Sequence, residues 1–303
     1  MDYERCDADD IEQVIPATDS ARRVVELVKR YGKGYVAGEL SADRALTVTG
    51  SEVPTICGEN MFETSNAAYF KKVFNVKMPD NEYTLHGRLN EPKAINVFRT
   101  KTGAKVFFVT FMRDETYNFL AGTFDALAIM PDGEGALVEV KCPARRSISD
   151  RIPEHYIGQV QTYLQICQLP VCLFTQYKPA YVTPARKYQR PAKMIITRVA
   201  RDPAYIQKRM FIIWDFYLRV RCFREGKLPM CPSAVTAIKA VWRWHRGRMG
   251  YVRSRLLVAE FRRIRLMYDG VSEAVEVEMN LQRPFTPVLT EPLVVVLDLE
   301  VPK

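Results

Sequence analysis

The stretch GTFDALAIMPDGEGALVEVKC, residues 122–142, decides the fold. Two apolar runs flank a turn built from Pro131, Asp132 and Gly133, which is the composition of a β-hairpin. Each run nevertheless carries charge in its middle: Asp125 in the first, Glu139 and Lys141 in the second. A charge inside a buried strand is costly unless it is paired or bound to a metal. Asp125 and Glu139 are equidistant in sequence from Asp132, so strands pairing symmetrically about the turn place the two carboxylates opposite each other. Side chains alternate along a strand, so Thr123, Asp125, Leu127, Leu137, Glu139 and Lys141 are expected on one face. Phe124, Ala126, Ala128, Val138 and Val140 are expected on the other, against a core. A one-residue slip would exchange the faces, so the pattern pins the register.

Two carboxylates at cross-strand distance repel unless a cation lies between them. Hard oxygen ligands suit Mg²⁺ or Mn²⁺. Lys141, on the same face, would reach toward the same point and orient a water or stabilise charge on a phosphate. A simple salt bridge from Lys141 to either acid at a sheet edge would also accommodate these charges.

Outward from the hairpin, the composition is that of a soluble globular protein, 48% apolar and 26% charged over 303 residues. No apolar run approaches the roughly 20 residues that span a bilayer. The N-terminal MDYERCDADDIEQ is acidic and does not read as a secretory signal. Seven cysteines without a regular framework fit reduced thiols, hence an intracellular setting, cytoplasm or nucleus. The net charge is +9, and the excess is concentrated between Lys239 and Arg265, where Glu260 is the lone acid. Such a stretch is the footprint of a polyanion partner, or else a solvated helix face.

Along the chain, residues 1–17 read as a frayed acidic tail. A helix is expected from Thr18 or Asp19 to the glycines at 32 and 34, and a second from Thr64 or Ser65 through NAAYFKKVF. A third covers 83–101, with Leu85, Leu89, Ile95 and Phe98 on its apolar side and Pro92 interrupting or kinking it. Strands are expected at 104–112, in both hairpin arms, at 171–177 and at 193–199; helices at 154–168 and 203–225. The alternation predicts an α/β (α+β) domain over 18–228. Pro229 and Pro232 open a basic extension, 229–303, whose later stretches VSEAVEVEM and LVVVLDLEV read as strands.

Asp125 followed by Glu139-Val140-Lys141 resembles the PD-(D/E)XK nuclease signature, with Phe124 in place of the proline. LTVTGSEVPTICG (46–58), HGRLNEPKAI (86–95), GTFDAL, EVKCP and GQVQTYL (158–164) follow in the order of the YqaJ/lambda-exonuclease family, so the chain is identified as similar to it over roughly residues 40–200. The resemblance implies a restriction-endonuclease-like core, a central mixed sheet flanked by helices. It implies Glu91, Asp125, Glu139 and the Val140 carbonyl as metal ligands, Lys141 as the catalytic lysine, and Gln159 with Tyr163 facing the site from the following helix. Gln161 would point elsewhere, and Cys142 would serve packing. Arg44, Ser51 and Thr123, with Gln159, match positions that hold a 5′-phosphate; Ser51 is also a good helix N-cap, with Glu52 in the first turn.

The activity so implied is Mg²⁺-dependent (Mn²⁺ substituting, two ions) 5′-to-3′ digestion of linear duplex DNA from phosphorylated ends, in viral or phage-type recombination. Possible partners are a single-strand annealing protein and further copies of the chain, as in the trimeric lambda relative. In AVWRWHRGRMGYVRSR (240–255), Arg243, Arg246 and Arg248 would neutralise phosphates, and the interleaved aromatics would stack on bases or pack as core. The rival readings are an endonuclease of the same fold, a non-catalytic DNA-end-binding protein, and a structural role in a recombination complex. A RecB-like iron–sulfur enzyme is disfavoured because no clustered cysteine set flanks the core.

Overall fold

A computed structural model of the chain describes residues 8–32, 44–76, 80–182, 189–227 and 294–298. After a 3-10 turn at Ala8–Gln13 come α1 (Asp19–Tyr31), β1 (Val48–Thr49), α2 (Val53–Ile56), α3 (Ser65–Val73) and α4 (Glu82–Thr102). Then follow β2 (Lys105–Phe107), β3 (Met112–Arg113), β4 (Leu120–Gly122), β5 (Ala126–Ile129), β6 (Gly135–Lys141) and α5 (Glu154–Cys167). The remainder is β7 (Val171–Lys178), β8 (Tyr181–Val182), β9 (Gln189–Arg190), β10 (Lys193–Ala200), α6 (Pro203–Arg224) and β11 (Val294–Asp298).

The hairpin forms with the expected register: Ala126 faces Val138, Leu127 faces Leu137, and Ala128 faces Ala136. It does not lie at an edge. The main sheet is six-stranded in the order β11-β10-β7-β6-β5-β2, with β6 and β7 parallel and the other pairs antiparallel. The β6–α5–β7 crossover is what a parallel neighbour requires. Both faces of the hairpin are therefore buried. Ala126, Ala128, Val138 and Val140 meet Ala94, Ile95 and Phe98 of α4. Leu127, Ile129 and Leu137 meet Val24, Leu27 and Val28 of α1 and Val160 and Leu164 of α5. Phe124 was expected with the alanines. It joins the Leu127 side instead, because the chain bends at Asp125 and leaves the strand alternation there.

Helix α1 is fastened to the hairpin turn. Thr18 caps it by accepting from the Ala21 N–H at 3.1 Å while its hydroxyl donates to the Gly133 carbonyl at 2.6 Å. Gly133 adopts a φ of 86°, and Gly135 lies so close to the Ser20 carbonyl that a Cβ would sit 2.2 Å from that oxygen. Side chains cannot follow the backbone there. The described part of the stretch read as a frayed tail docks instead: Ile11 is buried in the α1 cluster.

A second, three-stranded sheet, β1-β4-β3, has its own apolar core with α2, α3 and α6, built on Val48, Val53, Phe70, Leu120, Ile213 and Phe216. It takes up part of what reads as one strand over 104–112. That stretch divides into β2, in the main sheet, and β3, in the small one. Helix α4 runs through Pro92 without a break in its assigned span. Leu89, expected on its apolar side, is 61% exposed; Asn90, Ala94, Ile95 and Phe98 are the buried positions. The strand expected in LVVVLDLEV appears as β11 on the free edge of β10. No helix among the described residues is long and apolar enough to cross a membrane.

Candidate active site

The two sheets meet at Thr123–Asp125, the three residues between β4 and β5. Asp125 sits one step beyond the last paired residue of β5, and its carboxylate folds over to accept the Val140 N–H at 2.6 Å. Glu139 lies in central strand β6 and is 1% exposed. Its Oε1 accepts from Lys141 Nζ at 2.5 Å and from Gln159 Nε2 at 2.7 Å. Its Oε2 is buried with no hydrogen-bond partner. Lys141 also lies over the Tyr156 ring, 5.0 Å from the centroid. Gln159, buried on α5, further donates to the Tyr163 hydroxyl at 3.2 Å. Tyr163 is wedged against the small sheet: a Cβ added at Gly50 or Gly122 would stand 2.3 or 2.5 Å from its ring. Gln161 turns away, as expected, to the Ala200 carbonyl and the Asp202 N–H.

Glu91 comes from α4 and is half-buried, not a solvated helix carboxylate. Burial first, then the Asp125 charge, pushes its pKa up to about 7. Burial and Asp125 push Glu139 up to about 8, against the pull of Lys141. Asp125 is also raised by burial, against Lys141 and the Val140 hydrogen bond. Lys141 moves up: burial opposes its charge, but Glu139 and Asp125 outweigh it. Burial and the Glu139 charge raise Tyr163 too. Asp125 thus raises the proton affinity of both Glu91 and Glu139, and Glu91 that of Glu139, around a single lysine, which leaves the cluster short of positive charge. The buried Cys142 thiol is pushed up to about 12, first by burial and then by Glu91 and Asp125, so it stays protonated.

Among the described residues no three acidic, imidazole or thiol groups converge into a ready-made cation cage. The donors nonetheless fit a hard divalent cation: they are carboxylates in excess of cations, and one buried carboxylate oxygen lacks any partner.

At the other end of the seam, Arg44 Nη2 donates to Thr123 Oγ1 at 3.0 Å, and its guanidinium lies 6.0 Å from the Phe111 ring centroid. Ser51 shares a hydrogen bond with Thr49 Oγ1 at 3.2 Å. It is not the cap of α2. Glu52 holds that position without a capping bond, and its carboxylate accepts from the Thr49 N–H at 2.8 Å and pairs with Lys72 at 2.7 Å. The structure joins Arg44 to Thr123, and Gln159 to Glu139 and Tyr163; Arg243, Arg246 and Arg248 lie outside the described residues. Sequence reasoning passed over Tyr156, whose signal was its spacing: with Gln159 and Tyr163 it occupies positions three and seven apart, one helix face.

Residues 39–175 match the family model of the YqaJ-like viral recombinase domain. Among solved structures, an alkaline exonuclease (LHK-Exo) from Laribacter hongkongensis is similar at 21% identity and a TM-score of 0.50, over 62% of this chain and 94% of that one. A phage-related exonuclease from Haemophilus somnus 129PT aligns at 17% identity and a TM-score of 0.42, over 62% of this chain and 99% of the other. No curated protein matches the chain.

Proposed function

From the match of residues 39–175 to the YqaJ-like viral recombinase model, we propose that the protein is a divalent-cation-dependent exonuclease that digests linear duplex DNA from 5′-phosphorylated ends, 5′ to 3′, in phage-type recombination. The observation that carries this reading is the unpartnered, buried Glu139 Oε2 beside Asp125 and Lys141.

Glu91, Asp125, Glu139 and the Val140 carbonyl would hold Mg²⁺, or Mn²⁺ in its place, as one or two ions. Bound there, the cation would polarise the scissile phosphate, acidify a water and offset charge on the leaving oxygen. The chain's own groups do the rest. Gln159 fixes the Glu139 carboxylate by donating to Oε1 at 2.7 Å. The Lys141 ammonium, held charged by Glu139 and Asp125, would orient the attacking water and stabilise the pentacovalent phosphate. Arg44, Thr123 and Ser51 would seat the terminal phosphate. Thr123 and Asp125 are separated by Phe124 alone, so a phosphate held by the first places the next ester bond at the second.

The test is digestion of linear duplex DNA, end-labelled and internally labelled, with Mg²⁺ and with circular and 5′-hydroxyl duplexes alongside. Stepwise release of mononucleotides from 5′-phosphorylated ends, and none from circles, is expected. Cutting of circles would make the protein an endonuclease. Tight binding without cutting would make it an end-binding protein.

A further inference from the structure

A cavity of about 350 Å³ opens between β1, α3 and the C-terminal end of α6, on the size scale of small-ligand sites, roughly 300–1,000 Å³. Val48, Phe216 and Val220, all buried, give it an apolar wall, and the exposed Leu46 borders it. Its other walls are fixed by contacts outside the cavity. Tyr217 is stacked on Phe119 with centroids 5.2 Å apart. The Arg224 guanidinium donates to three backbone carbonyls, those of Ala45 at 2.9 Å, Lys72 at 2.8 Å and Val73 at 3.2 Å. Groups so held do not swing inward to fill the space.

The lining is rich in cations. Lys72, Arg113, Arg221 and Arg224 stand against one carboxylate, Glu225, which pairs with Arg221 at 2.7 Å. Lys72 pairs with Glu52 at 2.7 Å, whereas Arg224 is held by carbonyls, which solvate its charge without cancelling it. Burial pulls the Lys72 pKa down against Glu52, and the Arg224 and Arg44 charges add to the fall. The cavity therefore favours an anion, and its apolar wall favours one with an apolar body, which an inorganic ion lacks. The proposed reaction releases such an anion at each step, a nucleoside 5′-monophosphate. The same walls support groups assigned above to the DNA end. Arg224 holds the carbonyl of Ala45, next to Arg44. Glu52 also accepts the Thr49 N–H at 2.8 Å, and Thr49 Oγ1 shares a hydrogen bond with Ser51.

We propose that this cavity is a product site, separate from the carboxylate cluster, that binds a nucleoside 5′-monophosphate with its base against Val48 and Phe216 and its phosphate among Lys72, Arg113 and Arg221. There the phosphate competes with Glu52 for Lys72. That loosens the Thr49–Ser51 turn and weakens the hold on a phosphorylated DNA end, so product slows further digestion. The identity of the ligand rests on the nuclease reading.

The test has two arms. In EDTA, equilibrium dialysis of labelled dAMP against the full chain is expected to show saturable binding that survives in Arg44→Ala and Glu139→Ala. Arg221→Glu should weaken it about tenfold, the scale of one lost charge-assisted hydrogen bond. Leu46→Trp should block it; both altered side chains are exposed, so the fold is kept. An 8-azido-dAMP photo-adduct should map to the peptide bearing Tyr217. With Mg²⁺, dAMP should slow digestion of 5′-phosphorylated duplex by the wild type and much less by Arg221→Glu, whose rate without dAMP matches wild type. Binding lost in Arg44→Ala but kept in Arg221→Glu would put the nucleotide in the terminal-phosphate seat and overturn the product site. Inorganic phosphate displacing dAMP at equal concentration would overturn the nucleotide as its ligand. An adduct at Tyr217 in a protein that cuts no DNA keeps the site and overturns the nuclease.

Discussion

Thermal stability of the cation-free protein should fall as pH rises from 6.5 to 8, and a divalent cation should reverse the fall. Glu91 and Glu139 hold protons up to about 7 and about 8 in the folded chain, against an ordinary carboxyl value of 4.5. Between those limits the folded state binds protons that the unfolded state has released, so stability declines with pH. One such proton is worth about 1.4 kcal/mol per pH unit. In a fold of this size that is roughly 3–6 °C of melting temperature per unit. The chosen window avoids two competing slopes. His86 and His155 have lowered pKa values, first through burial, and add stability only as pH rises to their unfolded value of 6.5. The thiols Cys57, Cys142 and Cys167, pushed up to about 12, remove stability only above their unfolded value of 9.0. The cation must displace those carboxyl protons, so Mg²⁺ stabilisation should grow with pH; at a hundredfold excess over its Kd it would reach about 2.7 kcal/mol. The assay is differential scanning fluorimetry at fixed ionic strength, with EDTA or Mg²⁺, on wild type and Glu139→Ala. A melting temperature flat from pH 6.5 to 8, or an Mg²⁺ gain equal in Glu139→Ala, would refute the reasoning.

Three substitutions separate the parts of the site. Lys141→Ala should abolish cleavage of 5′-phosphorylated duplex, at least a hundredfold on the order of one lost charge-stabilising group, while gel-shift affinity for the same duplex changes little. Gly122→Ala puts a Cβ where the Tyr163 ring stands 2.5 Å away. It should cost about 1–3 kcal/mol in a urea melt and depress activity through displaced Gln159; an unchanged melt would sink the wedge argument. Arg44→Ala should equalise rates on phosphorylated and hydroxyl ends by slowing the former, and a preserved preference in end-labelled digestion would remove Arg44 from phosphate binding.

The hairpin register was legible because strand alternation has a period of two, so Asp125 and Glu139 could be placed opposite each other from spacing alone. The depth of the site was not. Nothing in GALVEVK tells an edge strand from a central one; that depends on β7 arriving parallel beside it after α5. Leu89 misled for a related reason. Helix α4 buries only the stripe that meets the small residues Ala126, Ala128 and Ala136, and Leu89 lies off that stripe. Ser51 looked like a cap, but Glu52 was drawn away from its expected place by the buried Lys72, which lies 20 residues on and is invisible to local pattern. Tyr156 shares a helix face with Gln159 and Tyr163, but its place in the site comes from Lys141 of β6, a contact across elements.

The site's composition follows from where the chain changes sheets. β4 ends at Gly122 in one sheet and β5 starts at Ala126 in the other, each sheet with its own core. The three residues between cannot belong fully to either, and each is tied elsewhere: Thr123 to Arg44, Phe124 to the Tyr163 ring at 5.1 Å, Asp125 to the Val140 N–H. Polar side chains at such a seam escape the strict alternation that would bury or expose them. They can therefore turn toward partners on other elements while their backbone is fixed by rigid strands on both sides. The same placement explains why the charged cluster persists despite its cost. Glu139 is locked in a central strand, so it cannot swing to water to solvate Oε2, and the fold carries an oxygen with no hydrogen-bond partner, which the proposed cation would meet.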